Sequence, residues 1–348
     1  MKNRYPMKFR MASSAFWACL LAVALPHTIK AQDPHFSQFF ASPLTLNPAL
    51  TGLFDGQFRV AGNYRNQWPT INNAFRTGTV SFDMGLLANR LPENDRLGVG
   101  IMALNDRHVN GILNNNHVSL SAAYHKGLDE NGYHRLTVGF QGTFTSKRLD
   151  ASMADFEDEL TALGFTGVTQ EVFGNGMANI GYFDLQTGIL YSGSTNGSNN
   201  FYAGASLYHV NRPNESFIGG NFILEQRLTL HGGGYIPFGD NKTFHTSFIH
   251  QRQAGASETV FGGALSVNAT RDEYFPLELY AGAWYRLKDA VIPYVGVEFS
   301  GIRIGYSYDI NVSSLSTASN RRGGGEISVI YIKKPVDWYR KKMHCPKF

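Results

Sequence analysis

The chain has 348 residues, of which 17% are charged, 13% are aromatic and 37 are glycine. This composition is poor in the charged positions that build helices and rich in strand and turn material, so it favours an all-β protein. The formal net charge of +4 depends on five cations within residues 1–31. Without that segment the charge is −1, which removes the compositional argument for nucleic-acid binding.

The N-terminus has the pattern of an export signal. A basic lead in residues 2–10 precedes an apolar run at residues 15–25, which is shorter than the about 20 residues that a membrane-spanning helix needs. We therefore predict a signal peptide, residues 1–31, that is cleaved after Ala31. Lipidation of Cys19 is the minor alternative, because the residues before it are a poor lead-in. Cys345 is then the one cysteine of the mature chain, which excludes an internal disulfide.

Beyond residue 31 no apolar stretch is long enough for a membrane helix, so the chain is either soluble or a membrane β-barrel. Residues 134–146 alternate with period two, with Leu136, Val138 and Phe140 on one face and polar or small residues on the other. A soluble β-sandwich would alternate as well. Tyrosines near the predicted strand ends favour the aromatic girdles of a lipid-embedded barrel. These are Tyr124, Tyr191, Tyr208, Tyr235, Tyr306, Tyr308 and Tyr331.

The alternating runs predict a single transmembrane antiparallel barrel of about 14 strands over residues 57–332. An even strand number is typical of single-chain bacterial barrels, whose chain ends both lie on the periplasmic side. The predicted strands are 57–65, 76–84, 97–105, 115–125, 134–147, 180–190, 200–209, 227–236, 242–250, 258–268, 277–286, 290–298, 301–310 and 324–332.

The lengths of the connections agree with this topology. The two longest gaps, residues 148–179 and 210–226, fall on the same side of the predicted barrel, where such barrels carry their extracellular loops. Short links at residues 237–241 and around Ser300 fall on the opposite, periplasmic side. The short link at residues 287–290 lies on the extracellular side and is an exception.

We find no pattern of a catalytic, cofactor or metal site, so we expect no enzymatic activity and no cofactor. His245 and His250 are five residues apart, which places them on opposite faces of a strand and disfavours joint metal binding. The acidic run at residues 155–159 is either a solvated turn or a site for a cation or basic partner. Polar residues of inward parity either line a conducting lumen or pair inside a closed barrel; they are Arg303, Asp309, Glu278 and Glu298.

Residues 32–52 (QDPHFSQFFASPLTLNPALTG) resemble the N-terminal signature of the PorP/SprF family, outer-membrane proteins of the type IX secretion system. Further blocks resemble the family in the same order along the chain, so the resemblance covers nearly the whole mature protein. These blocks are residues 64–68 (YRNQW), 209–217 (HVNRPNESF), 302–315 (IRIGYSYDINVSSL), 323–331 (GGGEISVIY) and 345–348 (CPKF).

The resemblance implies an outer-membrane barrel of a Gram-negative bacterium that is not an enzyme. It implies a role in the export or surface anchoring of proteins with type IX C-terminal signals, gliding adhesins among them. Implied partners are the periplasmic and outer-membrane machinery of that system, its secreted cargo or adhesin, and outer-membrane lipid. A passive diffusion porin is the alternative function.

Residues 32–56 precede the first strand, so they lie either in the periplasm or in the barrel lumen. Pro43 and the pair Asn47 and Pro48 favour turns and extended chain there. We expect this segment to act as a plug or docking element, although a packed lead without further function is the alternative. The basic tail, residues 333–348, contacts periplasmic partners or headgroups, or only protects the last strand from aggregation. The candidate partner-binding residues are Phe36, Phe39, Phe40, Leu46, Asn47, Pro48, Trp338 and Tyr339.

Overall fold

The structure is a computed structural model that describes residues 33–71, 74–87, 90–162, 164–170, 177–217, 219–270 and 276–334. Within these residues, fourteen antiparallel strands close into one barrel. The strands are β1 (Phe58–Gln67), β2 (Phe75–Leu86), β3 (Arg96–His108), β4 (Leu113–Gly127), β5 (Arg135–Asp150), β6 (Met177–Gly193), β7 (Asn200–Tyr208), β8 (Arg227–Phe238), β9 (Lys242–Gln253), β10 (Ala256–Asn268), β11 (Leu277–Arg286), β12 (Ala290–Phe299), β13 (Ile302–Asn311) and β14 (Arg322–Lys333).

Each strand pairs with its neighbours in sequence, and the barrel closes where β1 pairs with β14, from Phe58 opposite Lys333 to Gln67 opposite Gly324. The prediction of fourteen strands is confirmed. Because the strands alternate in direction, β5 and β7 end at the same end of the barrel as β6 and β8 begin, and we call this the long-loop end. The opposite end, where β1 begins and β14 ends, is the short-turn end.

The wall of the barrel is apolar outside and polar inside. In β4, Leu120 is 66% exposed, whereas Ser119 and Ser121 on either side of it are buried. A soluble sandwich would bury the apolar face, so this inversion is the pattern of a strand between lipid and a polar lumen.

The girdle prediction is wrong for Tyr208 and for Tyr235, whose ring lies 5.9 Å from that of the buried His245. Tyr124 and Tyr306 point outward, 40% and 49% exposed, but Tyr208 is only 5% exposed. Phe201 of the same strand is exposed and Tyr202 is buried, so the period of two places every even-numbered residue of this part of β7 toward the lumen.

Helical elements in the described part of the chain are short. The expectation of turns and extended chain is wrong for Pro43–Leu46 and Pro48–Leu50, which are helical turns that each begin at a proline, whose φ angle suits a helix start. Asn47 between them is extended. No helix among the described residues is long and apolar enough to span a membrane. The helical turns are Phe39–Ala41, Pro43–Leu46, Pro48–Leu50, Val109–Gly111, Ala151–Met153, Glu157–Glu159 and Ser316–Ser319, and Leu160–Thr161 pairs with Gly164–Phe165 as a small hairpin outside the barrel.

Candidate functional site: a lumen occupied by the N-terminal segment

Residues 33–56, which we call the luminal segment, lie inside the barrel. They bond to inward side chains from strands around the ring, among them Arg59 of β1, His125 of β4 and Glu326 of β14. Leu44 and Asn47 of the segment are among the most buried residues of the chain, 1% and 0% exposed. Of the two locations that the sequence left open, the structure has the lumen.

The segment begins with Asp33, which lies near the long-loop end of the lumen. The Asp33 carboxylate lies 2.7 Å from Nε2 of His209, 3.3 Å from Arg227 and 3.2 Å from the amide nitrogen of Gln253. The Nδ1 atom of His209 lies 2.8 Å from the carboxylate of Asp184. Because a carboxylate only accepts hydrogen bonds, both ring nitrogens of His209 must donate, and the imidazole is a cation between two anions.

Ser37 and Gln38 form the second attachment. The carboxylate of Glu326 accepts hydrogen bonds from the two consecutive backbone N–H groups, at 2.7 Å from Ser37 and 3.0 Å from Gln38. The Gln38 side chain donates to Ser307 and accepts a 2.6 Å hydrogen bond from Ser328. Glu326 thus binds the backbone of the segment in the way that an anion binds a pair of peptide groups, which fixes the position of both residues.

A network of charges lies behind this attachment. Asp309 accepts hydrogen bonds at 2.9 Å from both Arg65 and Arg286, and it also accepts the hydroxyl of Ser37 at 2.8 Å. Arg286 also lies 3.1 Å from Glu258. All of these groups except Glu258 are almost fully buried, so each charge is stabilised mainly by its partners rather than by water.

Asn47 attaches the middle of the segment. Its side-chain oxygen accepts from the Ala49 N–H at 2.8 Å and so caps the turn Pro48–Leu50. Its amide nitrogen lies 2.9 Å from Nε2 of His231 and donates to the carbonyls of Ile189 and Ala205 at 3.2 Å. One side chain therefore joins the segment to β6, β7 and β8.

Two glycines of the wall allow the backbone of the segment to approach. A Cβ atom at Gly139 would overlap the backbone of Pro48 and Ala49, and one at Gly188 would overlap the amide group of Asn47. Glycine is the only residue without a Cβ, so these positions fit the segment closely.

We predict that Gly139→Ala destabilises the folded barrel by about 1–3 kcal/mol, because the backbone it meets cannot move without breaking the Asn47 hydrogen bonds. Gly78→Ala is the matched control, since its Cβ would have 3.9 Å to the nearest atoms. Urea unfolding midpoints in lipid vesicles measure both variants. Equal midpoints for the two would contradict the close fit.

The segment is attached again near the short-turn end of the barrel, just before β1 begins. The carbonyl oxygen of Thr51 lies 2.8 Å from Nε2 of His125, and the N–H of Gly52 donates to Asp83 at 2.7 Å. Arg59 joins the two elements, because it donates to Asp83 at 2.7 Å and to the carbonyl of Leu50 at 3.0 Å. The segment is thus held at four levels between the two ends of the barrel.

Aromatic packing fills the other side of the lumen. The ring of Phe40 lies 4.7 Å from Trp284 of β11 and 5.6 Å from Tyr294 of β12, between ring centroids. Phe36 and Phe39 are 5% and 4% exposed. These apolar groups of the segment have their surface inside the barrel, where they contact its wall.

The lumen contains most of the predicted candidate residues. Phe36, Phe39, Phe40, Leu46, Asn47 and Pro48 lie together in the lumen, whereas Trp338 and Tyr339 lie outside the described residues. Of the inward polar residues, Asp309 supports the luminal segment. Arg303 donates to Glu298 at 2.6 Å, and Glu278 accepts a 2.6 Å hydrogen bond from the hydroxyl of Tyr280.

Sequence reasoning missed the wall residues that receive the segment, chiefly Glu326, Arg286 and His209. The available signal was a charged side chain of inward parity on a strand, as with Glu326 in residues 323–331. The described residues contain no group of three or more side chains that would hold a metal ion.

Solved barrel structures of low sequence identity are similar to this chain, whereas no curated protein sequence matches it. The toluene transporter TbuX of Ralstonia pickettii is 11% identical, with a TM-score of 0.45 over 83% of this chain and 92% of that one. A FadL homologue of Pseudomonas aeruginosa is 9% identical, with a TM-score of 0.45 over 82% and 92%. The deltaS2 mutant of the monoaromatic hydrocarbon channel TodX is 11% identical, with a TM-score of 0.48 over 83% and 93%.

The sequence profile of one family, described as type IX secretion system membrane protein PorP/SprF, matches residues 28–331. The match includes the luminal segment and all but the last two residues of the barrel wall. The chain belongs to the PorP/SprF family of type IX secretion system membrane proteins.

Proposed function

We propose that this barrel is a non-enzymatic outer-membrane component of the type IX secretion system that supports export or surface anchoring of proteins with type IX C-terminal signals. Gliding adhesins are one class of such proteins. The barrel acts as a holder rather than as a conduit, because the space through which cargo would pass is occupied by residues 33–56.

A single observation carries this proposal. The internal sequence blocks that resemble the family each supply a residue that holds the luminal segment or its charge network. Arg65 comes from residues 64–68, His209 from 209–217, Asp309 from 302–315 and Glu326 from 323–331. The feature shared with the family is thus the segment together with its receptor, which supports a function that depends on the closed lumen.

The proposed function requires the barrel to lie in the outer membrane. We propose that a signal peptide, residues 1–31, directs the chain to the outer membrane, with the short-turn end in the periplasm and the long-loop end outside. The periplasmic and outer-membrane machinery and the lipid are the partners. The tail residues Trp338 and Tyr339 contact that machinery, and the luminal residues contact a partner only if the segment leaves the lumen.

A passive diffusion porin is the rival function. A porin needs a continuous aqueous channel, whereas this lumen is crossed by a polypeptide with hydrogen bonds to many strands. Paired charges such as Arg303 with Glu298 occupy further luminal space rather than coat an open channel.

The proposal is tested by deleting the gene and measuring secretion and surface display of type IX substrates by mass spectrometry. We expect both to fall and to return with the unaltered gene, and mild-detergent purification to recover machinery components. Normal display in the deletion strain, with reduced uptake of small solutes, would support the porin instead.

A further inference from the structure

The long-loop end carries a strand edge without a strand beside it. β6 pairs with β5 along its whole length, from Met177 opposite Asp150, but it pairs with β7 only from Thr187 onward. Residues 177–186 of β6 therefore extend past the last residue pair that β7 provides. We call the side of residues 177–183 that faces away from β5 the open edge of β6.

The pairing ends at Asn211. The N–H of Val210 donates to the carbonyl of Leu185 at 2.9 Å, and the side chain of Asn211 accepts the N–H of Leu185 at 2.9 Å and donates to the carbonyl of Phe183 at 2.7 Å. A side-chain amide has the same donor and acceptor as a peptide group. Asn211 thus takes the place of one further strand residue, and the loop then leaves the edge toward Glu215.

Beyond Asn211, toward the tip of the long-loop end, the N–H and C=O groups of the open edge have no strand to pair with in the part of the chain that the structure describes. The N–H and C=O groups of Leu185 both face away from β5. Because every second residue of an antiparallel strand directs these groups to the same side, the N–H and C=O groups of Gly181 and Asn179 also face away from β5. Within the described residues, no hydrogen bond reaches these N–H and C=O groups, and both residues are exposed. Such an edge is complementary to one kind of ligand, an extended polypeptide.

The surroundings indicate the side chains of that ligand. Phe183 and Met177 of the edge are 55% and 49% exposed, and the hairpin of the β5–β6 loop exposes Phe165 by 54%. The same loop carries an acidic run at residues 155–159. Hydrogen bonds from the Gln170 N–H and the Thr169 hydroxyl lower the pKa of Asp158, so this carboxyl stays charged at neutral pH. Arg148 of β5 contacts Met177 at 3.0 Å, but it lies 4.0 Å from the carboxylate of Asp150, so the four acidic residues of the loop leave an excess of negative charge. The surroundings therefore favour apolar and basic side chains.

We propose that the open edge of β6 binds an extended segment of an exported protein, rich in apolar and basic residues, as an added β-strand. This proposal rests on the proposed function and names how its partner is recognised. A second copy of the barrel is a poorer occupant, because two acidic loops would repel each other where two edges meet.

Gly181→Pro tests the edge, because proline removes the N–H of residue 181, which faces the open side, and leaves the hydrogen bonds to β5 in place. Gly181→Ala is the matched control, which keeps the N–H. The probes are two synthetic peptides of alternating valine with lysine or with glutamate, measured by fluorescence anisotropy against the full-length protein in detergent. We expect the lysine peptide to bind the unaltered protein and Gly181→Ala, and to bind Gly181→Pro about tenfold more weakly.

Equal binding of the lysine peptide to all three proteins, or equal binding of the two peptides, would overturn the proposal. A dimer of the unaltered protein that Gly181→Pro converts to a monomer would overturn it in favour of a second copy. Electrophoretic mobility without heating checks that the variants fold, and Asn179→Pro replaces Gly181→Pro if that variant fails.

In cells, Gly181→Pro should reduce surface display of type IX substrates while Gly181→Ala does not. Normal display with Gly181→Pro would overturn the exported protein as occupant, but it would leave the secretion role intact, because the gene deletion tests that role separately. Normal display in the deletion strain would reject the secretion role and leave the peptide measurements to decide on the edge.

Discussion

Deletion of residues 33–50 is expected to convert a barrel that conducts poorly into an open pore, with a rise in single-channel conductance of about tenfold or more. The reason is that these residues cross the lumen, while most side chains of the wall that they leave behind are polar, and such a wall takes up water. Residues 1–32 are kept in the variant so that export is unchanged. The measurement is conductance of the purified proteins in planar lipid bilayers.

Two controls separate this effect from damage to the barrel. Asp240→Ala lies in an exposed turn between β8 and β9 and should conduct like the unaltered protein. A synthetic peptide of residues 33–50 added to the deletion variant should lower its conductance again. A folded deletion variant that stays silent, or an unaltered protein that already conducts strongly, would contradict the closed lumen. Failure of the variant to assemble would instead indicate that the segment is a packing element.

The sequence was sufficient to predict the barrel because its signal is local. Each strand alternates within about ten residues, so the predicted run at residues 134–147 already gives the inward and outward faces of β5. The prediction for Tyr208 relied on its residue type, whereas its even number in β7 places it on the luminal face. Tyr202 of the same strand is also even-numbered and is also buried.

The position of the luminal segment could not be predicted in the same way. Its attachments are long-range, as between Ser37 and Glu326, which are 289 residues apart in the chain. Pro43 and Pro48 are compatible with turns, extended chain and the first residue of a helix, so local preferences left the conformation open. The candidate residues Phe36 and Asn47 come from residues 32–52, the block that resembles the family signature, but their receptors are single residues on several strands.

Arg286→Met is expected to lower the free energy of unfolding by about 3–5 kcal/mol, because it removes one of the two cations that neutralise the buried carboxylate of Asp309. Arg286 is 4% exposed, and it donates to Asp309 at 2.9 Å and to Ser37 at 2.7 Å. Arg252→Met is the matched control, since Arg252 is exposed on the outer face of β9 and should change stability by less than about 0.5 kcal/mol. Denaturant unfolding in lipid vesicles measures both variants.

Arg286 also connects the wall to the luminal segment. The loss of stability in Arg286→Met therefore has two explanations, one in the wall alone and one in the contact with the segment. If Arg286 stabilises only the wall, Ser37→Ala and Arg286→Met should destabilise the barrel additively. The 2.7 Å hydrogen bond and the shared contact with Asp309 predict instead that the double variant costs less than the sum of the single ones. Arg286→Met combined with Glu258→Gln should recover part of the loss, because it removes one charge of each sign and leaves the net charge of the network unchanged. Additive costs together with no recovery would mean that the segment and the wall are stabilised independently, and release of the segment would then not require the charge network to open.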